Sequence, residues 1–269
     1  MFRARQSKNQ RGVLRDLWIW MDGLRIYAHA AQRPAAGRLP VVLVHGYGMS
    51  SRYMVPLAKR LAAEHAVYAP DLPGHGRSDD PGFTLSIPEL ADFLTAWMDA
   101  VGIDRAAFLG NSMGCQILAE LAVRHPERVD RLILVSPTVD PAARSFRRQL
   151  PRFLRTVIAE RISIIPMVGI AYLRTGFRRL RQEMHIAFED RIEKKLSRIS
   201  VPSLVVRGER DAIVPQGWTA EVAEKLRAGD VRVIRGKGHA LNYSAADELM
   251  RVIRPFLDPD NDLTERSSE

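Results

Sequence analysis

The chain has 269 residues, 46% of them hydrophobic and 26% charged, which is enough for one sizeable core and excludes a disordered or fibrous chain. Its formal charge is +9, but residues 141–200 hold 14 Lys/Arg against 5 Asp/Glu, so the whole excess lies in one segment. A single cysteine, Cys115, excludes an intrachain disulfide scaffold and fits a reducing, cytoplasmic setting.

The opening "MFRARQSKNQRG" is basic and no apolar h-region follows it, so no signal peptide is expected. Two strands are predicted at 14–20 and 24–29, joined by the turn "MDG". "LPVVLVHG" (39–46) is a continuous β-branched run, the pattern of a strand buried on both faces. A helix follows at 51–64 and a short strand at 66–70, which ends in the loop "DLPGHGRSDD". "SIPE" (86–89) opens a helix to about 101, with Ser86 and Glu89 as a capping box. "RAAFLG" is a strand, "SMGCQILAELAVRH" a helix and "RLILVSP" (131–137) a strand. The C-terminal third adds "PSLVVRG" (202–208), a helix at 217–227, "VRVIRG" (231–236) and a last helix at 242–256.

Strands alternate with helices, which implies a parallel sheet covered on both faces. The alternation stops between 139 and 198, where the composition is helical and arginine-rich. The expected division is a core of 1–138 and 199–258, a helical cap of 139–198, and a frayed tail of 259–269. The most apolar stretch, "ISIIPMVGIAYL" (162–173), is too short to span a bilayer and is interrupted by Pro166 and Gly169.

The segment "GNSMG" (110–114) places one serine between two glycines directly after a strand. A sharp strand-to-helix turn needs such glycines, because side chains there would collide. The turn exposes the hydroxyl of Ser112 above a helix N-terminus, which favours negative charge. A serine needs a base, and the base needs an orienting group. Asp211 in "GERDAIVP" and His239 in "GKGHALNY" each follow a strand, in the order Ser, Asp, His. Glu209 is the rival acid and ranks below Asp211. An oxyanion hole requires two backbone N–H groups. Met113, after the serine, supplies one, and Tyr47 in "HGYGMSS", between Gly46 and Gly48, supplies the other. His45 is a rival base, read instead as shaping this loop.

Together "HGYG", "DLPGHGRSD", "GNSMGC", "GERDAIVP" and "GKGHALNY" resemble the α/β-hydrolase superfamily, in its capped, lipase/esterase-like branch. The resemblance covers about residues 15–257, the cap in position rather than in sequence. It implies an eight-stranded, mostly parallel sheet with the cap inserted after the sixth strand. It also implies Ser112 as nucleophile, His239 as base, Asp211 as its partner, and an acyl-enzyme route on ester-like substrates. Haloalkane dehalogenases and epoxide hydrolases place an aspartate where Ser112 stands. The elbow is also similar to that of enzymes cleaving carbon–carbon bonds in ring-cleavage products, but those follow the histidine with Trp, and this chain has "GHALNY". That C–C hydrolase activity is the second reading, and a binding or sensor protein retaining the triad is the third.

The cap is expected to wall an acyl pocket with Leu154, Ile158, Ile164, Ile165, Met167, Ile170, Tyr172, Leu173 and Phe177, which also form the cap's own small core, and Gly46 and Asn111 are expected to line the pocket beside Ile170 and Leu173. The cap's arginines are read as a solvated face, as an attractor for an anionic substrate, or as a dock on an anionic membrane. Cys115 is read as a packing residue. No zinc-ligand spacing, P-loop or dinucleotide fingerprint is present, so neither a metal nor a cofactor is expected. No nucleic-acid recognition module is present either.

Overall fold

A computed structural model describes residues 13–31, 38–160, 164–226 and 229–258. The basic opening segment, residues 161–163 and the tail at 259–269 lie outside these residues. Eight strands form one sheet: β1 (Arg15–Met21), β2 (Leu24–Ala31), β3 (Val41–Val44), β4 (Val67–Pro70), β5 (Ala106–Asn111), β6 (Val129–Val135), β7 (Ser203–Gly208) and β8 (Gly229–Ile234). Their order is β1-β2-β4-β3-β5-β6-β7-β8. β1, β2 and β4 pair antiparallel, and every pairing from β4 through β8 is parallel. The Asp22–Gly23 turn has positive φ at both residues, 50° and 77°, the geometry a two-residue hairpin favours.

The period-two alternation of the central strands feeds two apolar layers. Val42, Val44, Phe108, Leu132, Leu134 and Val205 face one cluster, with α2 (Ile87–Val101), α3 (Met113–Arg124) and α8 (Gln216–Lys225). Val41, Leu43, Leu109, Ile133, Val135 and Val206 face the other, with α1 (Val55–Leu61) and α10 (Ala246–Leu257). α9 (Leu241–Ser244) is a single turn before α10. The sheet is therefore covered on both sides, as its continuous hydrophobic strands require.

At the start of α2, the Ser86 Oγ accepts from Glu89 N–H and the Glu89 carboxylate accepts from Ser86 N–H. Such a cap contributes about 1 kcal/mol. Between β6 and β7 the described residues contain no strand. They form α4 (Phe146–Ala159), α5 (Ile164–Thr175), α6 (Phe177–Glu189) and α7 (Ile192–Lys195). α7 returns to the main core, where Ile192 and Leu196 are fully buried beside α3 and α8.

β4 and β5 flank β3 on opposite sides, so the chain reverses direction across the sheet there. Loops leaving adjacent strands at such a point diverge and open a crevice at the carboxyl ends of the strands.

Candidate active site

The crevice is built by close backbone approach. A Cβ on Gly46 would lie 2.8 Å from Asn111 O, and one on Gly114 would lie 2.5 Å from Val44 O. The loop after β3 and the turn after β5 therefore meet with no space for a side chain. Between them Ser112 is held at φ 57°, ψ −122°, a costly backbone for an L-residue. Its hydroxyl is presented at the N-terminus of α3.

His239 lies on the loop after β8. Its Nδ1 is 2.9 Å from Asp211 Oδ2. The other Asp211 oxygen, Oδ1, accepts from the N–H groups of Ile213 and Val214, both at 3.0 Å. Asp211 is 3% exposed. Burial opposes its charge, but His239 and these hydrogen bonds reverse that, and its pKa is lowered. Burial likewise pushes His239 down, while the carboxylates of Asp211 and Glu160 outweigh it, so its pKa is raised. Ser112 and His239 both line one cavity of about 570 Å³. The structure thus brings Ser112, Asp211 and His239 to one rim.

Tyr47 and Met113 line the same cavity. A Cβ on Gly46 would lie 3.4 Å from Met113 N, so the Gly46–Tyr47 backbone runs beside that N–H. Neither Tyr47 N–H nor Met113 N–H donates to an acceptor among the described residues. Glu209 is turned away and accepts from Gly236 N–H at 2.7 Å. His45 is fully buried, with Nδ1 3.0 Å from Gly46 O and Nε2 accepting from Leu72 N–H at 3.1 Å. Burial lowers its pKa to about 3, so it is a neutral strut of the loop. Asn111 lines the cavity and its Nδ2 also donates to His239 O at 3.3 Å. Cys115 is buried and donates to Gly110 O, and burial raises its thiol pKa well above the usual value.

Of the expected cap residues, Ile164, Ile165 and Tyr172 line the cavity, whereas Leu154, Ile158, Met167, Ile170, Leu173 and Phe177 do not. Ile170 is half exposed and Leu173 is 84% exposed, and neither borders the cavity. α5 turns Ile165, Val168, Gly169 and Tyr172 inward, at helical spacing, and this rotates Ile170 and Leu173 outward.

Two carboxylates from the cap reach the site, and the sequence reading did not single them out. Glu160, just past the last turn of α4, accepts from Ala240 N–H at 2.7 Å and from Ser244 Oγ at 3.1 Å, holding the residues after His239. An acid at a helix C-terminus opposes the helix dipole, and that local conflict was the available signal. Glu183 of α6 accepts from Gly48 N–H at 3.1 Å through Oε2, and its Oε1 pairs with His75 Nε2 at 2.8 Å. Both partners are buried. On the other side Thr175 Oγ1 donates to Gly48 O at 3.3 Å. Gly48, at φ 61°, admits Leu180 and Tyr172 where a Cβ would collide. Residues from this segment therefore hold both the N–H and the C=O of Gly48, the residue after Tyr47.

Burial opposes the charge on His75, but Glu183 outweighs it and its pKa is raised. This pair stabilises the fold fully below the unfolded histidine pKa, and the contribution is lost as pH rises through the raised folded value. Replacing Glu183 with alanine is expected to lower kcat by roughly ten- to a hundredfold with little change in KM, since it loosens a loop rather than removing a donor. Glu183→Gln, which keeps an acceptor for Gly48, should recover most of that loss. Steady-state kinetics on a short-chain ester, with thermal midpoints as a control, would check it; unchanged kcat in the alanine variant would show the grip to be idle.

The sequence matches the α/β hydrolase fold family model over residues 40–164. Residues 185–257 match a second model, described as TAP-like protein. The chain belongs to the α/β-hydrolase superfamily. It is an esterase/lipase-like hydrolase of that fold. It is 28% identical over 253 residues to a pimeloyl-[acyl-carrier protein] methyl ester esterase of Pectobacterium carotovorum, a match covering 84% of this chain and 96% of that one. It is 27% identical to a putative carbamate hydrolase, RutD, of Rhizobium rhizogenes, over 85% and 95% of the two chains. A solved membrane phospholipase A, described as a bacterial virulence factor, superposes with a TM-score of 0.78 at 23% identity, covering 91% of this chain and 86% of that one, which speaks for the fold alone. Among the described residues no helix is long and apolar enough to cross a membrane.

Proposed function

We propose that the protein is a cytoplasmic serine hydrolase cleaving ester or thioester bonds of small substrates with a mainly apolar acyl part. In this reading Ser112 Oγ attacks the carbonyl carbon as His239 Nε2 accepts its proton, and Asp211 stabilises the imidazolium. The oxyanion forms between the N–H groups of Tyr47 and Met113. The protonated His239 then passes its proton to the leaving group, and water, deprotonated by the same imidazole, releases the acid from Ser112. Residues 139–198 serve as the cap, anchored to the core by the stretch from Ile192 to Arg198.

The observation that carries this reading is the pairing of His239 with the buried Asp211, His239 lining the same cavity as Ser112. The acyl preference rests on the walls. Phe146, Leu150, Phe153, Val157, Ile164 and Val168 line them, and among the described lining residues there is no Lys or Arg. The acidic side chain among the described lining residues is Glu160. A substrate that must bury a carboxylate, such as a diketone acid, would meet that acid with no lysine or arginine to offset it. The cap arginines among the described residues lie outside the cavity, so they do not favour an anionic acyl group.

A fluorophosphonate probe, with the labelled residue mapped by mass, tests the reading. Labelling is expected at Ser112 and is expected to vanish in His239→Ala. Folded protein that takes no label would overturn it. A p-nitrophenyl ester series of increasing chain length then reads the depth of the pocket.

A further inference from the structure

Helix α4 carries an apolar row that starts at the cavity rim and runs away from it. Phe146, Phe153 and Val157 face the cavity. Beside them Leu150, Leu154 and Ile158, spaced i, i+4, i+8, run along the helix with exposures of 40%, 54% and 85%. Leu150 sits on the cavity rim; Leu154 and Ile158 do not line it. Phe146, Phe153, Val157 and, across the mouth on α5, Ile165 are themselves between 36% and 55% exposed. The mouth and the row thus form a continuous apolar surface in water, which is unusual for a monomer.

The polar flank of the helix is basic. Arg147 precedes Leu150 and Leu154 by three and seven residues, on the same face, and Arg155 flanks the row. Both are exposed, and neither has an acidic partner among the described residues. Three arginines nearer the core are already committed: Arg144 to Glu193, Arg152 to Asp140 and Arg179 to Asp80. A helix with an apolar row, an arginine flank and no great overall hydrophobicity is suited to lie in the plane of a lipid interface. A second copy of the chain packed on the row about a two-fold axis would bring these unpaired arginines toward their own equivalents. An anionic bilayer instead offers phosphates beside acyl chains.

We propose that α4 docks on an anionic phospholipid bilayer. Leu150, Leu154 and Ile158 enter the acyl region, and Arg147 and Arg155 meet headgroup phosphates. The cavity mouth then opens onto the membrane, and the ester substrate is drawn from it; this last part rests on the hydrolase reading.

Flotation of the full-length protein with vesicles tests the docking. The wild type should float with phosphatidylcholine mixed with phosphatidylglycerol, far less with phosphatidylcholine alone, and less as salt rises. Leu154→Ser/Ile158→Ser and Arg147→Ser/Arg155→Ser should each weaken partitioning by roughly tenfold or more. Both should turn over a water-soluble short-chain ester as the wild type does. No flotation of the wild type, or flotation unchanged in both double variants, would overturn the proposal. So would a dimer, seen by sedimentation equilibrium, that Leu154→Ser/Ile158→Ser dissolves while vesicles go unbound. Soluble-ester turnover without flotation removes the docking and keeps the hydrolase. Flotation without turnover or probe labelling does the reverse.

Discussion

Ser112→Ala is expected to lower kcat by roughly 10⁴- to 10⁶-fold while KM and the thermal midpoint stay near the wild-type values. Alanine keeps the Cβ, so the strained turn at φ 57° and the contacts of Gly46 and Gly114 are unchanged. On the proposed mechanism the variant loses the attacking oxygen and nothing that packs. Residual catalysis over water would come from the two backbone N–H groups and from the apolar cavity. Single-turnover measurements on an activated ester would check this, together with a melting curve. Turnover within severalfold of wild type would assign the chemistry to another residue.

Asp211→Asn is expected to cost roughly 10⁴-fold in kcat, for a different reason. The native carboxylate only accepts: Oδ2 faces His239 Nδ1, and Oδ1 faces two backbone N–H groups. An asparagine has one accepting end. If its oxygen keeps the two N–H groups, its NH₂ faces Nδ1 and forces the proton of the neutral imidazole onto Nε2, the atom proposed to accept from Ser112. If it turns the other way, two buried donors lose their acceptor to an NH₂ group. The pH profile carries a second signature. The base works when neutral, and the His239 pKa lies above its ordinary value. In the wild type kcat/KM should therefore rise with pH along a limb centred above about 6.5. In Asp211→Asn the larger of the supporting charges is gone and burial remains, so the limb should move toward lower pH. A limb that stays in place would mean that His239 is not the titrating base.

The elements carrying Ser112, Asp211 and His239 were legible because each residue lies in the short loop that follows a strand, so a short run of residues fixes its rim position. The continuous β-branched runs made the sheet legible in the same way. The antiparallel hairpin of β1 and β2 shows in the "MDG" turn, but the pairing of β2 with β4 depends on strand order and has no local mark. The side of the pocket formed by α5 was misread at Ile170 and Leu173, because a helix of nearly uniform apolarity does not reveal which face turns inward. Glu160 and Glu183 were missed for a geometric reason. Their acceptor bonds reach Ala240, 80 residues away, and Gly48, 135 residues away. Neither distance leaves a trace in spacing.

Those two carboxylates bear on how far this enzyme can be treated as interchangeable parts. Engineers often retune a hydrolase by grafting a foreign lid onto a fixed scaffold. In this chain the graft would remove the acceptor that holds the residues after His239 and the one that holds Gly48. A chimera of this scaffold should keep its fold and still turn over slowly on every substrate, until acids are restored at the positions of Glu160 and Glu183.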